Sequence, residues 1–147
     1  MREYRLSPFK KAINVMLRRM FTRGKGPPDG YVVTTRGRKT GREYNTPVRI
    51  VENTSGRYVV SPYGERNWTK NARTAGSIGL TRGNRTENVQ IRELSPEESG
   101  PILKEYVKQV KVTRSYFDVD PDAPVEAFVA EAPRHPVFRV EGPAKPA

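Results

Sequence analysis

The sequence predicts an α+β fold that is mainly β: a small barrel of about six strands with helices added at its start, middle and end. Three observations support this. At 147 residues the chain is the size of one ordinary domain. Short runs rich in Val, Ile, Tyr and Thr recur between turns that contain Gly, Asn or Ser. Helical periodicity is confined to stretches that bracket and interrupt those runs.

The elements follow in order. Residues 8–21 form an amphipathic helix that Ser7 caps and Pro8 opens. Phe9, Ile13, Met16, Leu17, Met20 and Phe21 share one side of it, and Lys10, Lys11, Asn14, Arg18 and Arg19 the other. A Gly/Pro linker follows, so residues 1–29 read as a basic helix with linker and 30–147 as the barrel domain. Strands are expected over 31–35, 47–52 and 57–61, the last two joined as a hairpin through Thr54-Ser55-Gly56. Residues 67–75 make a short helix ending at Gly76. A second hairpin pairs 77–81 with 87–92 around Gly83-Asn84. Ser95 and Glu98 form a capping box, and Gly100-Pro101 is expected to restart the helix that follows. A helix over 125–132 and a strand over 136–140 close the chain.

Composition excludes several chemistries. With no cysteine there is no disulfide, thiolate metal site or cysteine nucleophile. A histidine-based metal site or catalytic triad would have to be built on His135 alone. No stretch approaches the ~20 apolar residues of a membrane span. Lys10, Lys11, Arg18 and Arg19 interrupt the N-terminal apolar run, so a cytoplasmic protein is expected rather than a secreted one. The net charge of +11 is unevenly placed, with 13 Lys/Arg against three acidic residues between Met1 and Arg49. Such clustering points to a localised anion-binding face.

Two motifs carry most of the chemistry. In Gly37-Arg38-Lys39-Thr40-Gly41-Arg42, glycines let backbone N–H groups converge on an anion while forked and point charges surround it. It lacks the spacing of a Walker A loop. In the second, Asn67, Trp68 and Asn71 share the start of one helix, offering an aromatic plane, amides and a positive helix end. That set suits a ring system joined to a phosphate, while the structural alternative makes Trp68 a core anchor and the asparagines caps.

In this order, from about Tyr31 to Gly83, the motifs resemble the deazaflavin-dependent nitroreductase family. The resemblance implies a split β-barrel and coenzyme F420, an 8-hydroxy-5-deazaflavin with a phospholactyl and oligoglutamyl tail; flavin mononucleotide is the alternative. It implies that Arg38, Lys39, Thr40 and Gly41 form the turn holding phosphate and tail. Arg42 substitutes for a basic residue where Tyr44 stands. Pro47 matches the strand along the ring, and Trp68, Asn71 and Arg73 the cofactor side of the helix. The implied activity is hydride transfer from reduced F420 to a quinone, enone or nitro compound. Tyr116 and Ser61 are candidate proton donors, and Tyr63 and Tyr106 candidate substrate contacts. Such an enzyme needs no metal or triad, because the cofactor carries the hydride.

Other classes remain open to the sequence. A pI of 10.2 would suit a nucleic-acid module, but no RNP, zinc-finger or helix-turn-helix signature is present. The N-terminal helix could lie on anionic lipid with Phe9, Met16 and Phe21 inserted, giving peripheral contact with the inner face of a membrane. More simply, it docks on its own barrel. A cofactor carrier without catalysis is the remaining reading.

Overall fold

The computed structural model describes residues 7–144. Helix α1 (Pro8–Thr22) leads into β1 (Gly30–Arg36), β2 (Glu43–Asn53) and β3 (Gly56–Val60). Helix α2 (Asn67–Ala75) precedes the hairpin of β4 (Ser77–Arg82) and β5 (Arg85–Glu93). Then come α3 (Pro96–Gln109), a 3-10 segment (Lys111–Tyr116), α4 (Val125–Glu131), a 3-10 turn (Ala132–Arg134) and β6 (Val137–Pro143). The six strands close antiparallel in the order β1-β2-β3-β6-β5-β4, the expected α+β barrel.

Side-chain alternation gives the barrel two cores. Val33, Val48, Ile50, Val59, Leu80, Val89 and Phe138 fill the interior, with Trp68 and Ala72 of α2 packed among them. The opposite faces of β2 and β3 carry Val51, Tyr58 and Val60, which α3 covers with Leu103, Tyr106 and Val107 and α4 with Phe128. Gly100-Pro101 does not restart a helix: α3 runs unbroken through Pro101. A Cβ on Gly100 would lie 2.6 Å from the Val129 side chain, so this glycine serves the close approach of α3 and α4.

The N-terminal helix docks by its C-terminal half. Phe21 is 2% exposed, while Ile13, Leu17 and Met20 are half-buried. Phe9 and Met16 stay outside at 74% and 54% exposure, so the expected six-residue face is divided. At about 100° per residue, Met16 lies roughly 140° around the helix from Phe21, and one barrel surface cannot cover both. Phe21 is therefore unavailable for insertion into lipid, correcting that part of the membrane expectation. A Cβ on Gly30 would lie 2.3 Å from the Phe21 ring. Gly30→Ala is accordingly expected to push Phe21 out of place and cost about 1–3 kcal/mol, the usual penalty of overpacking, read as a lower melting temperature.

Candidate functional site

A cleft of about 520 Å³ lies on the outer surface of the barrel, within the size range of small-molecule sites. Its floor is the outward face of β2, with Pro47 and Arg49, and the end of β3, with Val60 and Ser61. Asn14, Leu17 and Phe21 of α1 form one wall. Tyr106 and Val110 at the end of α3, with Val112 and Thr113 of the 3-10 segment, form the other. The loop Pro62–Arg66 and the first residues of α2, Asn67 and Trp68, close one end beside Tyr44 and Thr46. Most of this surface is apolar or aromatic, which favours a flat, weakly polar occupant.

The basic turn stands where β1 passes into β2. It is held by Gly37 N–H donating to the Arg42 carbonyl at 2.7 Å and Gly41 N–H to the Gly37 carbonyl at 2.8 Å. Its tie to α2 is more informative. Asn71, 2% exposed, accepts through Oδ1 from the Arg38 guanidinium at 2.8 Å and the Arg38 backbone N–H at 3.3 Å. The two sequence motifs are thus joined by one amide. Lys39, Thr40, Gly41 and Arg42 are exposed. Among the described residues, Arg36, Arg38, Lys39 and Arg42 have no carboxylate partner in an ion pair. Four unneutralised cations within seven residues leave a strong positive field there. The turn does not line the cleft; Tyr44 and Thr46, a few residues along β2, connect the two.

The remaining sequence candidates separate. Trp68 is 6% exposed and packs on Phe138 with ring centroids 5.9 Å apart, yet it also lines the cleft, so it is both core anchor and cleft wall. Arg73 lies away from the cleft lining. Its guanidinium donates to Glu93 at 2.7 and 3.0 Å and to Glu65 at 3.1 Å, and these two carboxylates hold its pKa above the usual value. It ties α2 to β5 and to the cleft loop. Ser61 lines the cleft, but its hydroxyl proton is given to the Gly64 carbonyl at 2.6 Å. Tyr63 also lines it, and the Tyr116 ring lies edge-on behind Tyr63 at 4.8 Å, outside the lining. Tyr106 is 1% exposed, and burial pushes its phenol well above the usual tyrosine value. It is therefore a neutral hydrogen-bond donor and a poor acid.

His135 is also buried. Its ring stacks on Phe117 at 3.8 Å, with Nδ1 2.8 Å from the Pro62 carbonyl oxygen and Nε2 3.0 Å from Glu131 Oε1. It fastens the cleft loop from behind. Among the described residues, no group of three or more His, Asp or Glu is placed to hold a metal. Arg49 and the α1 wall escaped the sequence reading. The period-2 pattern of β2 does put Arg49 on the face of Pro47, but nothing in the sequence says that α1 and α3 turn that face into a cleft.

Comparison with known proteins is informative at two levels. A family model described as F420H(2)-dependent quinone reductase matches residues 22–132. Among solved structures, an F420-H2 dependent reductase (FDR-A) is 21% identical, over 77% of this chain and 94% of its own, at a TM-score of 0.54. A protein of unknown function from Agrobacterium tumefaciens is 15% identical at a TM-score of 0.59, over 94% of this chain; the chain spans 56% of it. A heme storage protein from Vibrio cholerae is 12% identical at 0.54, over 97% of this chain and 93% of its own. At such identities these structures establish a shared fold. A search of curated proteins finds no match.

Asn71→Ala removes the acceptor for both Arg38 donors, so amide hydrogen exchange over residues 37–42 should quicken while the barrel strands keep their protection.

Proposed function

Because the chain belongs to the F420H2-dependent quinone reductase family, we propose that it reduces a small, mainly apolar acceptor bound in the cleft, a quinone, enone or nitro compound. Family membership makes the chain an oxidoreductase that works with coenzyme F420. The observation that carries the fuller reading is the juxtaposition of an unneutralised basic turn with an apolar, aromatic cleft. A ring system with an anionic tail fits that donor set: guanidinium, ammonium and backbone N–H groups for phosphate and carboxylates, and Pro47 and Trp68 for the ring. In this reading Arg38, Lys39, Thr40, Gly41 and Arg42 take the tail, and Asn71 holds Arg38 in position.

The reduced coenzyme supplies a hydride when bound. The chain's own residues bind, orient and exclude water. Pro47 and Val60 give the floor its apolar part, Leu17 and Val110 line the walls, and Trp68 lines the end. Tyr106 can donate a hydrogen bond to an acceptor oxygen from the α3 wall without losing its proton. Ser61 keeps the 61–64 turn, and with it Tyr63, in place. Lys39→Ala is expected to weaken F420 binding about 10-fold or more, as loss of a charge-assisted contact implies, with a larger effect at low salt. Fluorescence titration of Trp68 measures it. Unchanged affinity in a folded variant would place the tail elsewhere.

A secondary reading concerns α1. Phe9 and Met16 are exposed on one side of it, and Arg19 is exposed beside Met16. We infer weak contact with anionic lipid through this face. Sedimentation with anionic liposomes should fall when Phe9 and Met16 are changed to Ser and when salt is raised, while coenzyme binding is retained. No helix among the described residues is long and apolar enough to cross a membrane.

A further inference from the structure

The cleft floor holds a cation far from the basic turn. Arg49 projects from the outward face of β2, two residues beyond Pro47, and lines the cleft. Six residues separate it from Glu43 at the start of the strand, roughly 20 Å of extended chain. The side chain is 26% exposed, and Asp29, at 16%, accepts its Nε–H. Asp29 is itself fixed: Gln109 Nε2 donates to its other oxygen at 2.5 Å and to the Ile50 carbonyl at 2.8 Å. The Ile50 N–H returns a bond to the Asp29 carbonyl at 3.0 Å. The end of α3 and the start of β1 therefore clamp the guanidinium by one nitrogen. Among the described residues, neither Nη group has a hydrogen-bond acceptor. Asp29 offsets the charge and occupies one nitrogen, so on this mostly apolar floor the remaining Nη donors are left to meet water or a ligand.

We propose that Arg49 is a specificity-determining residue for the acceptor, whose Nη–H groups take an oxygen bearing negative charge on an aromatic ring. The favoured substrate class is a quinone with an acidic hydroxyl or a carboxylate beside its carbonyl. Binding pairs that anion with the guanidinium in a cleft where little water competes, and Tyr106 on the facing wall adds a neutral donor. The reaction balances without Arg49 giving up a proton. The quinone gains a hydride from the reduced coenzyme and one proton from solvent, becoming the hydroquinone, and the coenzyme is oxidised by two electrons.

This rests on the proposed reductase reading for turnover, but not for binding, and the experiment separates the two. Calorimetry measures binding of 2-hydroxy-1,4-naphthoquinone, anionic at neutral pH, to the coenzyme-free protein. Steady-state turnover with reduced F420 then compares it with neutral 1,4-naphthoquinone. Arg49→Gln should weaken binding of the hydroxyquinone about 10-fold or more and raise its KM, since a charge-assisted bond is lost. The parent quinone, which carries no anion for the guanidinium, should lose far less, and coenzyme affinity should fall less than hydroxyquinone affinity. Arg49→Lys keeps charge without the fork and should recover part of the preference. Should Arg49→Gln be unstable through the stranded Asp29, the paired variant Arg49→Gln with Asp29→Asn removes both charges and should show the same loss. Equal loss for both quinones, or unchanged hydroxyquinone binding, overturns the assignment. So does a loss of coenzyme affinity as large as that of hydroxyquinone affinity, which would put Arg49 against the cofactor. If the wild-type protein binds no F420, the reductase reading fails, and calorimetry alone decides Arg49.

Discussion

Strand β2 is used on both faces, and the rest of the molecule is arranged around that double use. Val48 and Ile50 point inward and help fill the barrel, while Pro47 and Arg49 point outward as the cleft floor and Val51 packs beneath α3. Because side chains alternate with a period of two, a slip of one residue would send Arg49 into the barrel and expose Ile50. The register with β1, Gly30 opposite Arg49 through Arg36 opposite Glu43, is therefore a condition for the site as well as for the fold. The same pairing places the basic turn at one end of the β1–β2 ladder and Arg49 at the other. A single strand thus sets the separation between the two positive positions.

The helices convert that exposed strand face into a cleft. Phe21 seats α1 on Gly30, where a side chain larger than hydrogen would collide, and this brings Leu17 and Asn14 over the floor. Tyr106 of α3 and Val110, just past its end, come from another side, anchored in the outer core. His135 and Arg73 fasten the cleft loop, at the Pro62 carbonyl and at Glu65, and Asn71 fastens Arg38 of the basic turn. Each of the three acts by fixing a segment of the cleft loop or of the basic turn. Such outer bonds are a common way of holding a binding surface in a ready geometry.

Much of the scaffold was legible because its signals are local. Ser95 and Glu98 form the expected capping box, and α2 spans the expected residues before its Gly76 cap. Gly100-Pro101 misled for a definable reason: a glycine required by the α3–α4 approach looks, in one dimension, like a helix break. The two motifs could be read as belonging together, but not the Asn71–Arg38 bond that joins them across 33 positions. Arg73 shows the converse. Its place two residues after Asn71 suggested the cofactor side, whereas Glu93, twenty positions further on, claims its guanidinium. Arg49 went unread, because the use of an outer sheet face depends on helices distant in sequence.

In the proposed arrangement the unneutralised turn beside the cleft recognises the anionic tail of the coenzyme while the cleft takes the ring. Its most direct test is a comparison of two ligands by Trp68 fluorescence titration: intact F420, and the same deazaflavin riboside without its phospholactyl-glutamyl tail. The intact coenzyme should bind more tightly, with an advantage that shrinks steadily as salt rises, because screening acts on exposed charges. Equal affinities at low salt, or an advantage indifferent to salt, would contradict it.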